Sequence, residues 1–195
     1  MKVFKEIMSW VIPILVGLLV ALLIRQFVFT FARVDGPSME PNLVNKERLI
    51  VWRHAKVKHL SVIVFDAHGE DPTATKPKTD YVKRVIGLPG DTVSSKNGNL
   101  YVNGKVVPQK FISMNERTTG TGNWDLKSLS KSWNKNTNAT KVPKGEYFVL
   151  GDHRSVSNDG RYWGFVPKKK ITGVAKTFFW ETNKTKRTNV NNLGY

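Results

Sequence analysis

The feature that most constrains this chain is an uncharged apolar run, IMSWVIPILVGLLVALLI, at positions 7–24. As an α-helix rising ~1.5 Å per residue, a run of this length spans about 27 Å, close to the thickness of a bilayer's hydrocarbon core. Apolar character continues beyond Arg25, whose long side chain can extend to the lipid–water interface. We therefore predict one membrane-spanning anchor over residues 7–31, preceded by a short N-terminal segment, residues 1–6.

A cleaved signal peptide is the competing interpretation of this N-terminal region. Thr30 and Ala32 place small residues at the two positions that cleavage requires. The apolar stretch of a signal peptide usually runs for only ~7–15 residues, whereas this run is longer, and Arg25 lies between it and the candidate cut. We therefore favour an uncleaved span. Basic residues flank the run on both sides, so the charge distribution does not predict its orientation.

The chain beyond the anchor is strongly basic. The net charge is +16 over 195 residues; residues 1–31 hold three basic residues and one acidic residue, which leaves +14 for the remainder. Such a balance is typical of proteins that meet nucleic acid or an anionic membrane surface. No arginine-rich helix or zinc-binding spacing accompanies the charge, so we expect no nucleic-acid partner and favour attraction to anionic lipids. The absence of cysteine excludes disulfides and a cysteine nucleophile.

Beyond the anchor the sequence is typical of antiparallel β-structure. Two Asn-Gly pairs, at 97–98 and 103–104, predict type I′ hairpin turns and hence a three-strand meander. No amphipathic helix longer than about ten residues is indicated. Short β-branched runs bounded by polar or glycine-containing breaks predict further strands: RLIVWRH at 48–54, SVIVFDA at 61–67, DYVKRVIGL at 80–88, EYFVLGD at 146–152 and GVAKTFFW at 173–180.

Composition also suggests how the chain is divided. Residues 113–145 are rich in Asn, Thr, Ser and Lys, which predicts a polar and mobile insertion. We predict a mostly antiparallel β core built from residues 32–95 and 146–180. An inserted polar subdomain is predicted over residues 96–145, and a loose basic tail over residues 181–195.

Ser38 lies between two prolines in the stretch DGPSMEP, residues 35–41. Proline fixes its own φ and pushes the preceding residue towards extended geometry, so the serine is held in a rigid bend. One interpretation is a surface turn, where serine is common. The other is a nucleophile, and that interpretation requires a base elsewhere in the chain.

Two residues are candidates for that base. His153, in GDHRSVSNDGR, could form a triad with Asp152 or Asp159, because the order of triad residues varies freely between folds. Lys83 lies within an otherwise apolar strand, and a buried lysine can lose its proton. Its pKa would have to fall from ~10.4 by roughly 2–3 units, which burial can supply. Spacing alone leaves both candidates open.

Four sequence blocks resemble those of the bacterial type I signal peptidases, which are membrane-anchored Ser/Lys endopeptidases. After the N-terminal anchor, and in family order, the blocks are GPSMEPNL, ERLIV, YVKRVIGLPGD and GDHRSVSNDGR. The combination of KRVIGLPGD with the last block is highly specific. The resemblance implies a signal-peptidase-like β catalytic core with a small inserted subdomain, preceded by one N-terminal transmembrane helix.

The resemblance also implies roles for individual residues. Ser38 aligns with the nucleophile and Lys83 with its general base. Ser157 aligns with the serine that orients the lysine. Asp159 and Arg161 align with an ion pair that props the loop formed by the last block.

Other positions match the family pattern or depart from it. Gly36 stands where some relatives have a serine that contributes to the oxyanion hole, so we expect the hole to depend on the Ser38 backbone N–H. None of the departures removes the nucleophile or the base. Positions matching the start of the last block are Gly151, Asp152 and Arg154, and departures are Asn42, His153 and Gly160.

The expected function is cleavage of N-terminal signal peptides from exported preproteins at the outer membrane–water interface, with no metal or other cofactor. The expected partners are preproteins, membrane lipids and nearby export machinery. The resemblance implies a single-pass protein of the cell membrane, with a cytoplasmic N-terminus and an extracytoplasmic catalytic domain. Two alternatives stay open: an anchored non-catalytic β-domain that binds anionic polymers, and the same protease with a histidine base.

Overall fold

A long apolar helix precedes the β-structure. The computed structural model describes residues 2–193, so residue 1 of the predicted N-terminal segment and residues 194–195 of the predicted tail lie outside it. Helix α1 is Lys2–Phe27. Its part Glu6–Phe27 has a mean hydropathy of 2.8 and is not buried against the rest of the described chain. By length and composition it is the one helix within residues 2–193 that could cross a membrane.

The helix is shorter than the predicted anchor of residues 7–31. It ends at Phe27, and strand β1, Phe29–Arg33, begins after one intervening residue. β1 pairs with β2, Arg48–Trp52, in an antiparallel register. The stretch FTFAR alternates aromatic and smaller residues, as a strand does, but its apolar character alone cannot distinguish a strand from the end of a helix. The predicted boundary at residue 31 was therefore placed too late for the helix.

The remaining strands form two antiparallel sheets. Seven strands lie in the order β1-β2-β11-β3-β4-β9-β10 and four in the order β7-β6-β5-β8. All of these pairings are antiparallel, which confirms the predicted fold class. In chain order, the strands after β2 are β3 Val62–Asp66, β4 Asp80–Gly87, β5 Val93–Lys96, β6 Asn99–Val102, β7 Lys105–Val106, β8 Trp124–Asp125, β9 Glu146–Leu150, β10 Phe165–Pro167 and β11 Ile171–Lys176.

The small sheet contains the predicted three-strand meander. β5, β6 and β7 are joined by turns at 97–98 and 103–104, and all four turn residues have positive φ, between 50° and 76°. A type I′ turn requires this conformation at both central residues, which is why Asn-Gly is favoured there. The sheet begins at Val93, slightly before the predicted subdomain boundary at residue 96.

The segment predicted to be a mobile insertion packs against the large sheet. Trp133 and Val142 are buried in one cluster with Phe148 of β9 and Phe165 of β10. Helix α2, Leu126–Leu129, buries its first leucine in the same cluster. The few apolar residues of this segment are widely spaced in a polar background, so their shared burial leaves no periodic pattern in the sequence.

The C-terminal segment is also not loose in the described residues. After helix α3, Lys184–Arg187, the side chain of Val190 is buried against the core of the large sheet. The Asn189 side chain donates a hydrogen bond to the Asn42 side chain over 2.7 Å. The tail prediction followed from its basic composition, which describes the surface of the segment but not these contacts.

Candidate active site

Ser38 lies on the loop that leaves β1, and this loop is fastened on both sides of the serine. Before it, Gly36 donates its N–H to the side-chain oxygen of Asn45 (3.1 Å) and has a φ of +81°, a conformation that glycine tolerates. After it, the side chains of Met39 and Leu43 are fully buried in the core. Ser38 itself is half-buried, so its hydroxyl is presented from an anchored segment.

Lys83 lies in β4 and is only 4% exposed. Burial lowers the pKa of its amine to about 8; the nearby Asp159 carboxylate opposes the shift, and the Arg161 guanidinium adds to it. An amine with this pKa has an appreciable neutral fraction near neutral pH, as a general base requires. The amine shares with the serine a cavity of about 190 Å³ that is lined by Asp35, Ser38, Tyr81, Val82, Lys83 and Asn158.

The loop after β9 meets the nucleophile loop at Gly151. A Cβ atom built on this glycine would overlap the Ser157 side chain and come within 2.5 Å of the Ser38 carbonyl oxygen. Any larger residue would therefore separate the two loops. The backbone N–H of His153 donates to the same Ser38 carbonyl over 3.1 Å. The two loops are thus joined through backbone contacts directly beside the serine.

Ser157 carries a hydroxyl that the described residues leave without a partner. The side chain is buried, and its Oγ has no hydrogen bond within residues 2–193. Buried polar groups in native proteins are nearly always hydrogen-bonded, and exceptions cluster where a function uses them. Gly151 contacts both the Ser157 hydroxyl and the Ser38 carbonyl, so the hydroxyl lies close to the nucleophile loop.

Asp159 and Arg161 form the ion pair that the resemblance implies. The guanidinium donates to both carboxylate oxygens of Asp159, over 2.9 and 3.1 Å, and both side chains are buried. The carboxylate also accepts the N–H of Gly151 (2.9 Å), while the guanidinium donates to the carbonyls of Gly120 and Arg154. The pair therefore fixes the loop internally and joins it to the small subdomain.

Asp152 belongs to a different, fully buried ion pair. The Arg84 guanidinium binds its two carboxylate oxygens over 2.8 and 2.6 Å, and the Asn42 amide donates to it over 2.8 Å. Both neighbouring cations of β4 are therefore buried: Arg84 is paired, whereas Lys83 forms no salt bridge within residues 2–193. Arg84 keeps its charge and acts as a structural link, so only the lysine has the properties of a base.

His153 does not have the surroundings of a triad histidine. Its Nδ1 lies 3.3 Å from the Pro37 carbonyl oxygen, and its Nε2 lies 3.9 Å from a carboxylate oxygen of Glu116. The two carboxylates proposed as its partners, Asp152 and Asp159, are bound to arginines instead. The geometry thus brings Ser38 together with Lys83 in one cavity, and His153 is not among the described residues that line it.

Asp71 is a residue of this site that the sequence prediction missed. It is 2% exposed, and its carboxylate accepts hydrogen bonds from the Tyr81 hydroxyl (2.9 Å) and the Asn158 amide (2.7 Å), two walls of the cavity. It also accepts the N–H and hydroxyl of Thr73. Asp-Pro-Thr indicates a local turn, but no local pattern indicates the two long-range donors. Within residues 2–193 no group of three or more His, Cys, Asp or Glu is placed to hold a metal.

Comparison with known proteins gives consistent matches. The family described as "Signal peptidase, peptidase S26" matches residues 7–180. Signal peptidase IB of Staphylococcus aureus (strain COL) is 36% identical over 190 residues, which cover 93% of this chain and 94% of that protein. Signal peptidase I S of Bacillus subtilis (strain 168) is 39% identical over 186 residues, which cover 95% of each.

A solved structure supports the same assignment. The crystal structure of a signal peptidase I from Enterococcus faecalis V583 has 33% sequence identity and a TM-score of 0.51, and the match covers 62% of this chain and 97% of that one. These matches confirm the resemblance first seen in the four sequence blocks. The chain belongs to the signal peptidase, peptidase S26, family, and is therefore a serine peptidase, a hydrolase.

Proposed function

We propose that this protein cleaves signal peptides from exported preproteins with Ser38 as the nucleophile and Lys83 as the general base. The observation that carries this proposal is the shared cavity: the serine and a 4%-exposed lysine line the same space, and burial brings the lysine pKa to about 8. A serine hydroxyl is a weak nucleophile until an adjacent base takes its proton. Among the described residues that line this cavity there is no histidine and no second lysine.

The reaction proceeds through an acyl-enzyme. The neutral Lys83 amine accepts the Ser38 proton as the hydroxyl oxygen attacks the scissile carbonyl carbon, which gives a tetrahedral intermediate. When the intermediate collapses, the C–N bond breaks and the lysine ammonium donates its proton to the leaving amine. The same lysine then takes a proton from water, which hydrolyses the ester and releases Ser38.

The oxyanion of the intermediate needs preorganised donors. Gly36 has no side chain to donate, and no atom would meet a Cβ at that position within 4 Å. We therefore assign the main donor role to the Ser38 backbone N–H. Gly36 serves the site through its positive φ, which shapes the turn in front of the serine.

Ser157 is proposed to orient the lysine. Its buried hydroxyl is free to bond to the amine, and such a bond would hold the nitrogen lone pair towards Ser38. The ion pair of Asp159 and Arg161 would keep the Ser157 loop in place. Asp152 contributes indirectly, because it joins this loop to the strand that carries Lys83.

The membrane–water interface is proposed as the place of cleavage. β1 begins one residue after α1 ends, so the nucleophile loop follows the anchor closely. Aromatic side chains extend the apolar surface after the helix end. The exposed rings of Phe31 and Trp180 both stack on the half-buried ring of Phe178. Aromatic residues of this kind favour the interface region of a bilayer. A preprotein whose cleavage site emerges beside its own membrane segment would meet Ser38 at this level.

The remaining expectations about the cell belong to the same proposal. We propose a single-pass topology with a cytoplasmic N-terminus and an extracytoplasmic catalytic domain. The partners are then preproteins as substrates, lipids around α1 and the aromatic surface, and export machinery that delivers the substrates. The proposed chemistry requires no metal or other cofactor, because the nucleophile and the base are both side chains.

A preprotein cleavage assay with the full-length chain tests the assignment. Ser38→Ala and Lys83→Ala are each expected to lower cleavage by at least about 10³-fold, since each removes a reacting group. His153→Ala is expected to retain most of the activity. If instead the His153 variant loses cleavage and the Lys83 variant keeps it, the histidine alternative is correct. Full cleavage by Ser38→Ala would reject the catalytic proposal altogether.

A further inference from the structure

A second cavity, of about 460 Å³, lies between the segment that follows β2 and the segment that leads into β11. This volume falls in the range of sites that hold small ligands. Among the described residues that line it there is no Asp or Glu. Its basic members, hereafter the basic pocket, are Arg53, His54, Lys56 and Lys168.

The cations of the basic pocket are exposed and have no counter-ion in the protein. Within residues 2–193, the side chains of Arg53, Lys56 and Lys168 form no salt bridge and no hydrogen bond. By contrast, the amines of Lys170 and Lys186 are each held by a carboxylate. Three unpaired cations that face one cavity repel each other, and an anion between them would relieve that repulsion.

The floor of the pocket offers a further donor. Tyr147 and Gly173 are both buried and line its inner wall. Tyr147 is 9% exposed, and its hydroxyl forms no hydrogen bond with any other described residue. The hydroxyl oxygen is not among the buried side-chain atoms without a partner, so it is open to solvent and can donate to a ligand in the cavity. The pocket therefore combines unpaired charge with an unused hydrogen-bond donor, the two features that a phosphate group requires.

The basic pocket lies at the end of the large sheet where α1 leads into β1. β1 leaves the helix and β2 returns towards it, so Arg53, which follows Trp52, donates its N–H to the carbonyl of Val28 over 3.1 Å. Val174 of β11 is paired with Trp52, which places Lys168, before this strand, at the same end. The basic pocket therefore lies at the end of the large sheet that is joined to α1.

We propose that the basic pocket binds the phosphate of an anionic phospholipid head group. Arginine presents a planar fork that matches phosphate oxygens, and lysine adds a compact positive charge. A lipid is favoured over free phosphate because the pocket adjoins the helix end and the exposed Trp52 ring. This inference rests on the membrane placement given under the proposed function.

Native mass spectrometry of the full-length chain in detergent tests the inference. The protein is exposed to phosphatidylglycerol or to phosphatidylcholine, and the lipid retained per chain is measured against lipid concentration. We expect the wild type to retain phosphatidylglycerol preferentially. The variant Arg53→Gln/Lys56→Gln/Lys168→Gln is expected to lose roughly 100-fold in apparent affinity, on the basis of the usual contribution of each basic residue near an anionic lipid surface.

The matched control removes the same amount of charge elsewhere. Lys96→Gln/Lys105→Gln/Lys127→Gln changes three exposed lysines of the small sheet and its neighbouring helix α2. It is expected to retain phosphatidylglycerol within about threefold of the wild type, because lysines far from the site contribute only a screened attraction. Equal losses in both triple variants, or wild-type retention in the pocket variant, would overturn the proposal. So would inorganic phosphate that binds as tightly as the lipid.

The outcome is separable from the proposed catalysis. Ser38→Ala is expected to abolish cleavage and to retain phosphatidylglycerol like the wild type. If Ser38→Ala is inactive but the wild type shows no preference for phosphatidylglycerol, only the lipid site is rejected. An active Ser38 variant together with pocket-dependent lipid retention would reject only the catalytic assignment.

Discussion

At the scale of single residues, the site depends on a lysine that the fold holds at a cost. Folding lowers the pKa of Lys83 from 10.5 to about 8. At pH values where the amine is protonated in both the folded and the unfolded chain, this shift destabilises the folded state by about 3 kcal/mol. The unfolded chain binds the proton more tightly, so this cost is complete below pH ~8 and decreases as the pH rises towards 10.5. In the proposed mechanism this cost has a function, because the neutral amine is the form that accepts the Ser38 proton.

The lysine pKa predicts the pH dependence of cleavage. If the neutral amine is the general base, as proposed, kcat/KM should rise about tenfold per pH unit below pH ~8 and level off above it. Initial rates of preprotein cleavage between pH 6 and pH 9.5, at substrate concentrations below KM, measure this curve. A flat profile through this range would show that no group with the pKa of Lys83 limits the reaction.

Ser157→Ala separates a positioning role from a structural one. The hydroxyl has no partner among the described residues, so its loss should leave the free energy of unfolding unchanged within about 0.5 kcal/mol. If it orients the lysine, kcat should fall by about 10- to 100-fold with little change in KM. Cleavage kinetics and thermal unfolding of the full-length chain in detergent measure both. An equal fall in stability and activity would indicate that the hydroxyl is needed only for the fold.

At the scale of elements, the connection between β3 and β4 supports the cavity through Asp71. Its carboxylate holds the Tyr81 hydroxyl and the Asn158 amide, so one loop residue fixes two walls that belong to different parts of the chain. The ring of Tyr81 lies 5.5 Å from the Lys83 amine. The negative charge of Asp71 also acts on that amine and raises its pKa.

Asp71→Asn tests this arrangement. Loss of the negative charge should lower the pKa of Lys83, so the rising limb of kcat/KM should move to lower pH. The variant should also lose about 1–3 kcal/mol of stability, because buried donors lose their acceptor. Thr73→Val is the control, since it removes one bond to the same carboxylate but no charge. If the rising limb of the kcat/KM profile lies at the wild-type pH in both variants, Asp71 has a purely structural role.

Some elements could be predicted from the sequence and others could not, for physical reasons. The two Asn-Gly turns determine their hairpins locally, because few other residues tolerate positive φ at both positions. Ser38 and Lys83 could be proposed from the sequence because they lie within specific blocks. Asp71 was not, because its contacts come from residues distant in sequence, and hydrogen bonds between distant residues leave no local signal.

At the scale of the whole molecule, Arg84 joins the separate parts of the chain. Its guanidinium pairs with Asp152 of the late loop and donates to the carbonyls of Leu60 and Asn189. It also lies 4.2 Å from the centre of the Phe111 ring, which belongs to the segment between β7 and β8 of the small sheet. One side chain therefore connects the large sheet, the inserted segment and the C-terminal residues.

Arg84→Met is expected to destabilise the molecule strongly. It leaves the Asp152 carboxylate buried without its partner, which typically costs about 3–5 kcal/mol. Adding Asp152→Asn removes the unpaired charge and should recover part of the loss. Thermal unfolding of the full-length chain in detergent compares the two variants. A double variant no more stable than Arg84→Met alone would mean that the other contacts of Arg84 matter more than the ion pair.

The single residue between α1 and β1 has a consequence for how the enzyme finds its substrates. Val28 is bonded through its N–H to Ile24 of the helix and through its carbonyl to Arg53 of the sheet, so the junction has no slack. With α1 in the bilayer, the catalytic domain has no flexible linker that would let it move away from the membrane surface. Enzyme and preprotein would then meet by lateral diffusion in two dimensions, and turnover would follow the number of substrates per unit area of membrane.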